Sequence, residues 1–458
     1  MIYLLCENKE PAYVRHEENI LKEAITLGVV CLARTTFDFG AAKELWAGMR
    51  RDLGALENVK IVAHEDLVFE VEDAKKAAEE FASSRVDGLV IISGTFHLGH
   101  LALELAKSVH APILLWGLPE LPYNGGKIRL NSVCGVNLNA SNLYKSQIRN
   151  YHVTIGNKID ENWVDAIRVL KVLSRSHIGI LGYHAHGFFN LSVADLALYQ
   201  QTGILIDHYE LSEVWNFPAT EEAIAARTAQ LETIFDVSGI SAEQLSKVAT
   251  LAVKLEGFLD KYAIDALAIR CWPEFAAEYG ISPCAAMSLL QSEDRILACE
   301  GDVEGGISML MQRAVGAETP FLFDFSQVDF EKDFALFWHC GVAPCNLWDG
   351  RCVRSLDTYF AGGKGVTADF VLKEGELSVL RLDSAEGKYR VFLQKARAIP
   401  MEKELKGTYL KAKFDEPVRK VLDKVVQHGV AHHASVVYGN YIEPFRIAAK
   451  IAGWELIE

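Results

Sequence analysis

The run Cys299-Glu300-Gly301-Asp302-Val303-Glu304-Gly305-Gly306 sets three carboxylates into five positions, directly behind the apolar stretch Ile296–Cys299. An apolar stretch of that length predicts a strand. The residues beyond it predict a helix, because Val303, Ile307, Leu310, Met311 and Ala314 fall on one face. Ligand-binding groups in open α/β sheets gather at the carboxyl ends of strands, which puts Glu300 at the rim of a pocket. The same acids also suit a helix start, where the backbone dipole favours negative charge. Asp324 ends a second apolar run, Pro320-Phe-Leu-Phe323. Two acids at the ends of neighbouring strands suit a hard divalent cation such as Mn²⁺ or Mg²⁺, which prefers oxygen ligands; alone, Asp324 also reads as a cap or turn residue. His432-His433 supplies nitrogen ligands. Adjacent strand residues point to opposite faces, so at most one of the pair is expected to reach a given metal. His339, within Phe337-Trp-His-Cys-Gly341, is a further candidate, with a hydrogen-bonded core histidine as the plainer alternative.

Three regions must position these groups. Over residues 1–156, short apolar runs at Val29–Ala33, Val59–Ala63, Gly88–Ile92 and Pro112–Trp116 alternate with helical patterns. Ala42, Leu45, Trp46, Met49 and Leu53 form one such stripe. The alternation implies a parallel sheet covered by helices. Residues 157–330 repeat the style, with a strand running into a turn expected over His177–Gly182 and further strands at Ala266–Ile269, Ile296–Cys299 and Phe321–Phe323. Over 331–458 the texture becomes β-rich. Val366–Leu372, Leu377–Leu382 and Tyr389–Ala398 are separated by Glu374-Gly375 and Glu386-Gly387, which suggests an antiparallel meander or barrel, followed by helices near Val418–Gln427 and Ile442–Ala452. The fold class is therefore α/β: two doubly wound, Rossmann-like domains followed by a barrel-like β-rich domain carrying His432 and His433.

Composition narrows the partners. A formal charge of −15 argues against nucleic acid, whose binding draws on Lys and Arg, and against anionic membrane surfaces. The opening MIYLLCENKEP lacks the basic and long apolar regions of a signal peptide, and no run approaches the ~18 apolar residues of a membrane span. Nine scattered cysteines form no CxxC pair, so reduced thiols in a cytoplasm are expected. Neither nucleotide fingerprint occurs; the turn His184-Ala-His186-Gly187 does not match one. His97 and His100 share a His-x-x-His spacing with no further ligand nearby, which is weak metal evidence.

Taken in order, the runs LAIRCWPEF, GISPCAAMSLL, CEGDVEGGISMLM, PFLFDFSQVD, FWHCGVAP and HHASVVYGNYIEPFRIA resemble the C-terminal half of the L-fucose/L-arabinose isomerase superfamily. DGLVIISGTFHLGHLALELAK and NSVCGVNLNASNLYKSQIRNYH extend the likeness into the N-terminal half. The resemblance implies an aldose–ketose isomerase working through an ene-diol, with Mn²⁺, Mg²⁺ or Co²⁺ held by Glu300, Asp324 and one of the histidine pair, His433 being favoured as the ligand and His432 as a substrate contact. Glu300 and Asp324 then also form the acid/base pair. His339 matches a histidine near the metal in the arabinose branch. Trp272 offers an apolar platform for a sugar face, core packing being its alternative. The family plan further implies a trimeric or hexameric homo-oligomer in which one subunit's N-terminal domain covers another's pocket, bringing His97 towards the sugar. The chain is shorter than typical L-fucose isomerases, which leaves room for a modified sugar. Two other readings fit the same residues: a metal-independent sugar-binding protein, and a metal-dependent lyase or hydrolase of a sugar derivative.

Overall fold

The computed structural model describes residues 22–458; the MIYLLCENKEP segment lies outside them. The first sheet is parallel and five-stranded, built from β1 (Ile25–Leu32), β2 (Val59–Val68), β3 (Gly88–Ser93), β4 (Ile113–Gly117) and β5 (Tyr151–Ile155) in the order β2-β1-β3-β4-β5. The second is parallel and four-stranded, with β6 (His177–Leu181), β7 (Leu205–Tyr209), β8 (Ala266–Ile269) and β9 (Ile296–Cys299) in the order β7-β6-β8-β9. Both sheets reverse winding direction at their first strand, and the crevice at that reversal is where such folds accept ligands. Two strands of these parallel sheets have no counterpart among the apolar runs of the sequence. β5 and β7 carry polar residues and half-exposed positions, as edge strands can, so no continuous apolar run announces them.

The third sheet holds β10 (Phe321–Asp329), β11 (Phe334–His339), β12 (Ser355–Phe360), β13 (Gly365–Val371), β14 (Gly375–Ala385), β15 (Lys388–Ile399), β16 (Thr408–Phe414), β17 (His433–Tyr438) and β18 (Glu455–Ile457). β16 pairs with both β11 and β15, which closes the circuit β16-β11-β10-β17-β14-β15 into a barrel. The sheet thus begins at Phe321, ahead of the composition change near residue 330. Closure leaves few strand edges to protect.

The helix Val303–Ala314 joins the central sheet to the barrel. All its residues except Arg313 are buried, so it is packed on every side. Its Gln312 and Ser308 side chains are hydrogen-bonded, which offsets the cost of burying them. The Gln312 amide donates to the carbonyls of Ser378 (3.4 Å) and Ser435 (3.2 Å) and accepts from Ser435 Oγ (2.6 Å), while Ser308 Oγ accepts from the Leu382 amide (2.8 Å). These bonds fix the height of the helix against β14 and β17. The helix Glu161–Arg175 does the same for the first sheet: Trp163, Val164 and Ile167 join β1 and the central strands in one apolar core. Among the described residues, no helix is long and apolar enough to cross a membrane.

Candidate metal centre

Glu300 lies one residue beyond β9, in a backbone conformation that side chains other than glycine adopt reluctantly: φ is +62° at Glu300 and +76° at Gly301. Two tethers hold it there. The Gly301 amide donates to the Ile269 carbonyl (2.9 Å), and the Glu300 carbonyl accepts from the Ala185 amide (2.9 Å). Gly301 is required as well as permitted, because a Cβ would stand 2.4 Å from the Tyr183 carbonyl oxygen and 2.5 Å from His184 Cα. Strain of this kind persists where surrounding structure over-determines it, and it gathers at functional sites.

Asp324 enters from β10. The preceding Phe321 and Phe323 are fully buried, each worth about 1.5–3 kcal/mol relative to exposure, and Asp324 is the first strand residue to regain solvent. Its cross-strand partner on β17 is His433. One pairing therefore brings together the ends of two runs more than a hundred positions apart.

His433 is the centre of the cluster. Its Nδ1–H donates to Asp302 Oδ2 at 2.9 Å, which leaves the Nε2 lone pair facing Glu300 Oε2 and Asp324 Oδ1, each at 3.4 Å. The ring is fully buried, and Nε2 has no hydrogen-bond partner among the described residues. A lone pair opposed to two carboxylate oxygens in a low-dielectric setting requires positive charge between them. A histidine whose other nitrogen donates to a carboxylate is also the usual form of a metal ligand. Glu300, His432 and His433 place ligand atoms within 4.8 Å of one another, and so do Asp324, His339 and His433. The donor set of carboxylates and imidazole fits a divalent cation.

The flanking groups are equally ordered. His432 Nε2–H donates to Glu300 Oε2 (3.2 Å), and its Nδ1 accepts from the Asn190 amide (3.2 Å). Contrary to the strand-alternation rule, both histidines of the pair approach Glu300, because β17 starts only at His433 and His432 sits in the bend before it. Trp272 Nε1–H points to Glu300 Oε1 at 3.3 Å, and Phe188 packs edge-on against Trp272 and His432 at 5.6 and 5.2 Å. Trp272 thus makes a polar contact at the site in addition to packing. The His339 ring stacks on His433 at 5.5 Å; its Nδ1 accepts from the Cys340 amide (2.9 Å), and its buried Nε2 has no partner among the described residues. Burial works to raise the Glu300 carboxyl, but the hydrogen bond from His432 and the electrostatic influence of the His433, His339 and His432 imidazoles outweigh it and hold the group below the ordinary glutamate range.

His97 is not brought to this cluster. It is fully buried in the N-terminal domain, with Nδ1 against the Thr95 carbonyl (2.9 Å) and Nε2 against the Asn139 amide (2.8 Å), so both ring nitrogens are committed internally. Asp302, which the sequence presented only as a helix-start acid, does two jobs: Oδ1 caps the helix through the Gly305 amide (2.8 Å) while Oδ2 orients His433. Its spacing, two residues past Glu300, was the available signal. Phe188 and Asn190 carried none.

The profile of the family described as fucose/sulfoquinovose isomerase, N-terminal domain, matches residues 28–173. A sulfoquinovose isomerase from Priestia aryabhattai is 26% identical over 432 residues, covering 91% of this chain and 95% of its own. That from Alkalicoccus urumqiensis is 25% identical, covering 82% and 87%. These matches fit a divergent member of the fucose isomerase-like superfamily. The ordered motifs and the alignment over most of the chain point the same way. Among solved structures, a solute-binding protein of an ABC transporter from Burkholderia multivorans is 10% identical and covers 65% of this chain and 95% of its own, with a TM-score of 0.19. Glu300, Asp324 and His433, the residues to which the sequence resemblance pointed, converge here.

Proposed function

We propose that this chain is a divalent-metal-dependent aldose–ketose isomerase, and that its substrate is a hexose modified at C6, with sulfoquinovose, a 6-sulfonated hexose, as the leading instance. The observation that carries the metal reading is His433 Nε2, buried, unpartnered among the described residues and facing the carboxylates of Glu300 and Asp324. The relatives' names supply the sugar.

Glu300, Asp324 and His433, with His339 Nε2 beside them, would hold a divalent cation, which would supply Lewis acidity towards the sugar carbonyl. The remaining work belongs to the side chains. One carboxylate of the Glu300/Asp324 pair removes the proton from the carbon next to the carbonyl; the C–H electron pair becomes the C1=C2 double bond, and the carbonyl oxygen takes up a proton to give the ene-diol. Return of a proton to the other carbon, with loss of one from the opposite hydroxyl, completes the exchange. Glu300 is kept ionised for this by the hydrogen bond from His432. Positioned acid–base groups of this kind contribute about 10²–10⁴-fold each. Phe188 and Trp272 wall the site with apolar surface, and His432 remains open enough at the mouth to touch substrate.

We further propose a cytoplasmic homo-oligomer. None of the eight cysteines among the described residues is bridged, in keeping with a reducing compartment. Phe189, Leu196, Tyr199 and Leu205 are 77%, 84%, 54% and 62% exposed on the segment that follows the site loop, an apolar concentration typical of a subunit contact. Light scattering tests it: a mass near 51 kDa rejects the oligomer.

The activity test is NMR of sulfoquinovose, L-fucose and L- and D-arabinose in D₂O, with metal-stripped protein and with Mn²⁺ restored. Mn²⁺-dependent ketose formation with solvent deuterium entering the exchanged carbon, lost in Glu300→Gln and Asp324→Asn, supports the proposal. No conversion of any of these sugars, or conversion independent of metal, rejects it.

A further inference from the structure

Behind His433 lies a closed box of charge that the chemistry above does not use. Arg381, on β14, is fully buried. Its guanidinium donates from Nη1 to Asp302 Oδ2, the same oxygen that receives His433 Nδ1–H. Its Nη2 lies 3.6 Å from Glu304 Oε2, and its Nε 3.7 Å from Asp383 Oδ1. Asp383 is held in turn by Arg390, through Nε at 2.9 Å and Nη2 at 2.6 Å, and its Oδ1 accepts from the amide of Ala431, the residue just before His432. Burying an arginine among three acids is costly unless their geometry is fixed. What this geometry fixes is both ends of the metal-site histidines: Asp302 orients the His433 ring, and Asp383 anchors the backbone that leads into the pair.

We propose that Arg381 is a positioning residue for the metal centre: it holds Asp302 where that carboxylate accepts His433 Nδ1–H, so that Nε2 keeps its lone pair towards Glu300 and Asp324. Without Arg381, Asp302 has only the Gly305 amide to orient it. Its second oxygen is then free to turn, and His433 loses the bond that selects the ligating tautomer. Carboxylates that orient a ligand histidine affect metal affinity by about 10–100-fold, and Arg381 acts one bond further out through that carboxylate. The inference rests on the metal reading of the site, but its tautomer arm does not need the metal.

The test uses full-length, metal-stripped protein labelled with ¹⁵N-histidine, with the His433 resonances assigned by His433→Gln, followed by calorimetric Mn²⁺ titration. In the wild type, wherever the His433 ring carries a single proton, that proton is expected on Nδ1. Arg381→Met admits the Nε2–H form and weakens Mn²⁺ binding by about 10–100-fold, whereas Arg381→Lys recovers most of the affinity. In an Asp302→Asn background Arg381→Met adds nothing further, because the two act in series. A folded Arg381→Met with the wild-type tautomer and unchanged Mn²⁺ affinity overturns the proposal, as does a full additional loss in the Asp302→Asn background. If Arg381→Met does not fold, Asp302→Asn decides: an unaltered His433 tautomer rejects the relay. Wild-type protein that binds none of Mn²⁺, Mg²⁺ and Co²⁺ ends the metal reading, and the tautomer arm still rules on Arg381.

Discussion

Glu304 gives the sharpest test of how the buried charges are balanced. It is 2% exposed, Oε1 has no partner among the described residues, and Oε2 stands 3.6 Å from Arg381. Burial pushes its carboxyl from 4.5 up to about 7, and Arg381 offsets that rise only in part. An acid whose pKa is raised on folding adds stability that is fully present below its unfolded value and is lost as pH climbs through its folded value. The window therefore runs from about 4.5 to about 7, and its full amplitude is about 3 kcal/mol. Glu304→Gln keeps the shape and removes the titration. Paired urea unfolding of wild type and variant at matched pH values between 4 and 8 isolates the effect, since the other titrating groups are common to both. The variant should gain on the wild type across the window, by about 3 kcal/mol in all, and hold a constant lead above it. A difference that does not change with pH, or a variant that loses ground as pH rises, refutes the reasoning. Either result means that Arg381 keeps Glu304 ionised throughout.

Three other outcomes follow from the same contacts. Gly301→Ala places a Cβ 2.4 Å from the Tyr183 carbonyl oxygen at a φ of +76°, so it should lower stability by more than the ~1 kcal/mol of the backbone term alone and abolish turnover; a fully active variant with an unchanged melting temperature contradicts the account of the Glu300 turn. Trp272→Phe removes the N–H facing Glu300 while keeping an aromatic wall, and is expected to reduce kcat several-fold with little change in Mn²⁺ affinity; an equal loss of metal binding assigns Trp272 to the ligand cage instead. Chelation should lower the melting temperature, and Mn²⁺ at a hundredfold excess over its Kd should restore about 2.7 kcal/mol, a shift absent in His433→Gln.

Much of the fold was legible because its strands announce themselves. β3 and β4 are buried at every position, so their apolar runs stand out whatever surrounds them. The barrel was legible at β14 and β15 through their Gly-containing turns, but its closure was not, since the β15–β16 and β10–β17 pairings join segments whose contact depends on no local pattern. The candidate carboxylates of the proposed site were readable by the same logic that positions them. Glu300 and Asp324 each end an apolar run, because a buried strand must release its first polar side chain at the rim of the sheet.

What stayed hidden is the layer behind them, and the reason is physical. Glu300 and Asp324 keep part of their surface at the rim, so they break a hydrophobic pattern visibly. Their supports lie inside the pattern. Along β14, Leu377, Val379, Arg381 and Asp383 point one way with the period of two that strands impose, and nothing in that spacing separates an arginine that holds a carboxylate from one that reaches solvent. Only the barrel shows that Arg381 has no exposed surface and that its carboxylates come from residues 302, 304 and 383. A charged pair on a strand's apolar face is nevertheless a signal in its own right. Burying a lone charge is prohibitive, so an inward Arg381 demands acids from elsewhere in the chain, and the nearest unexplained acids in the sequence were those following Glu300.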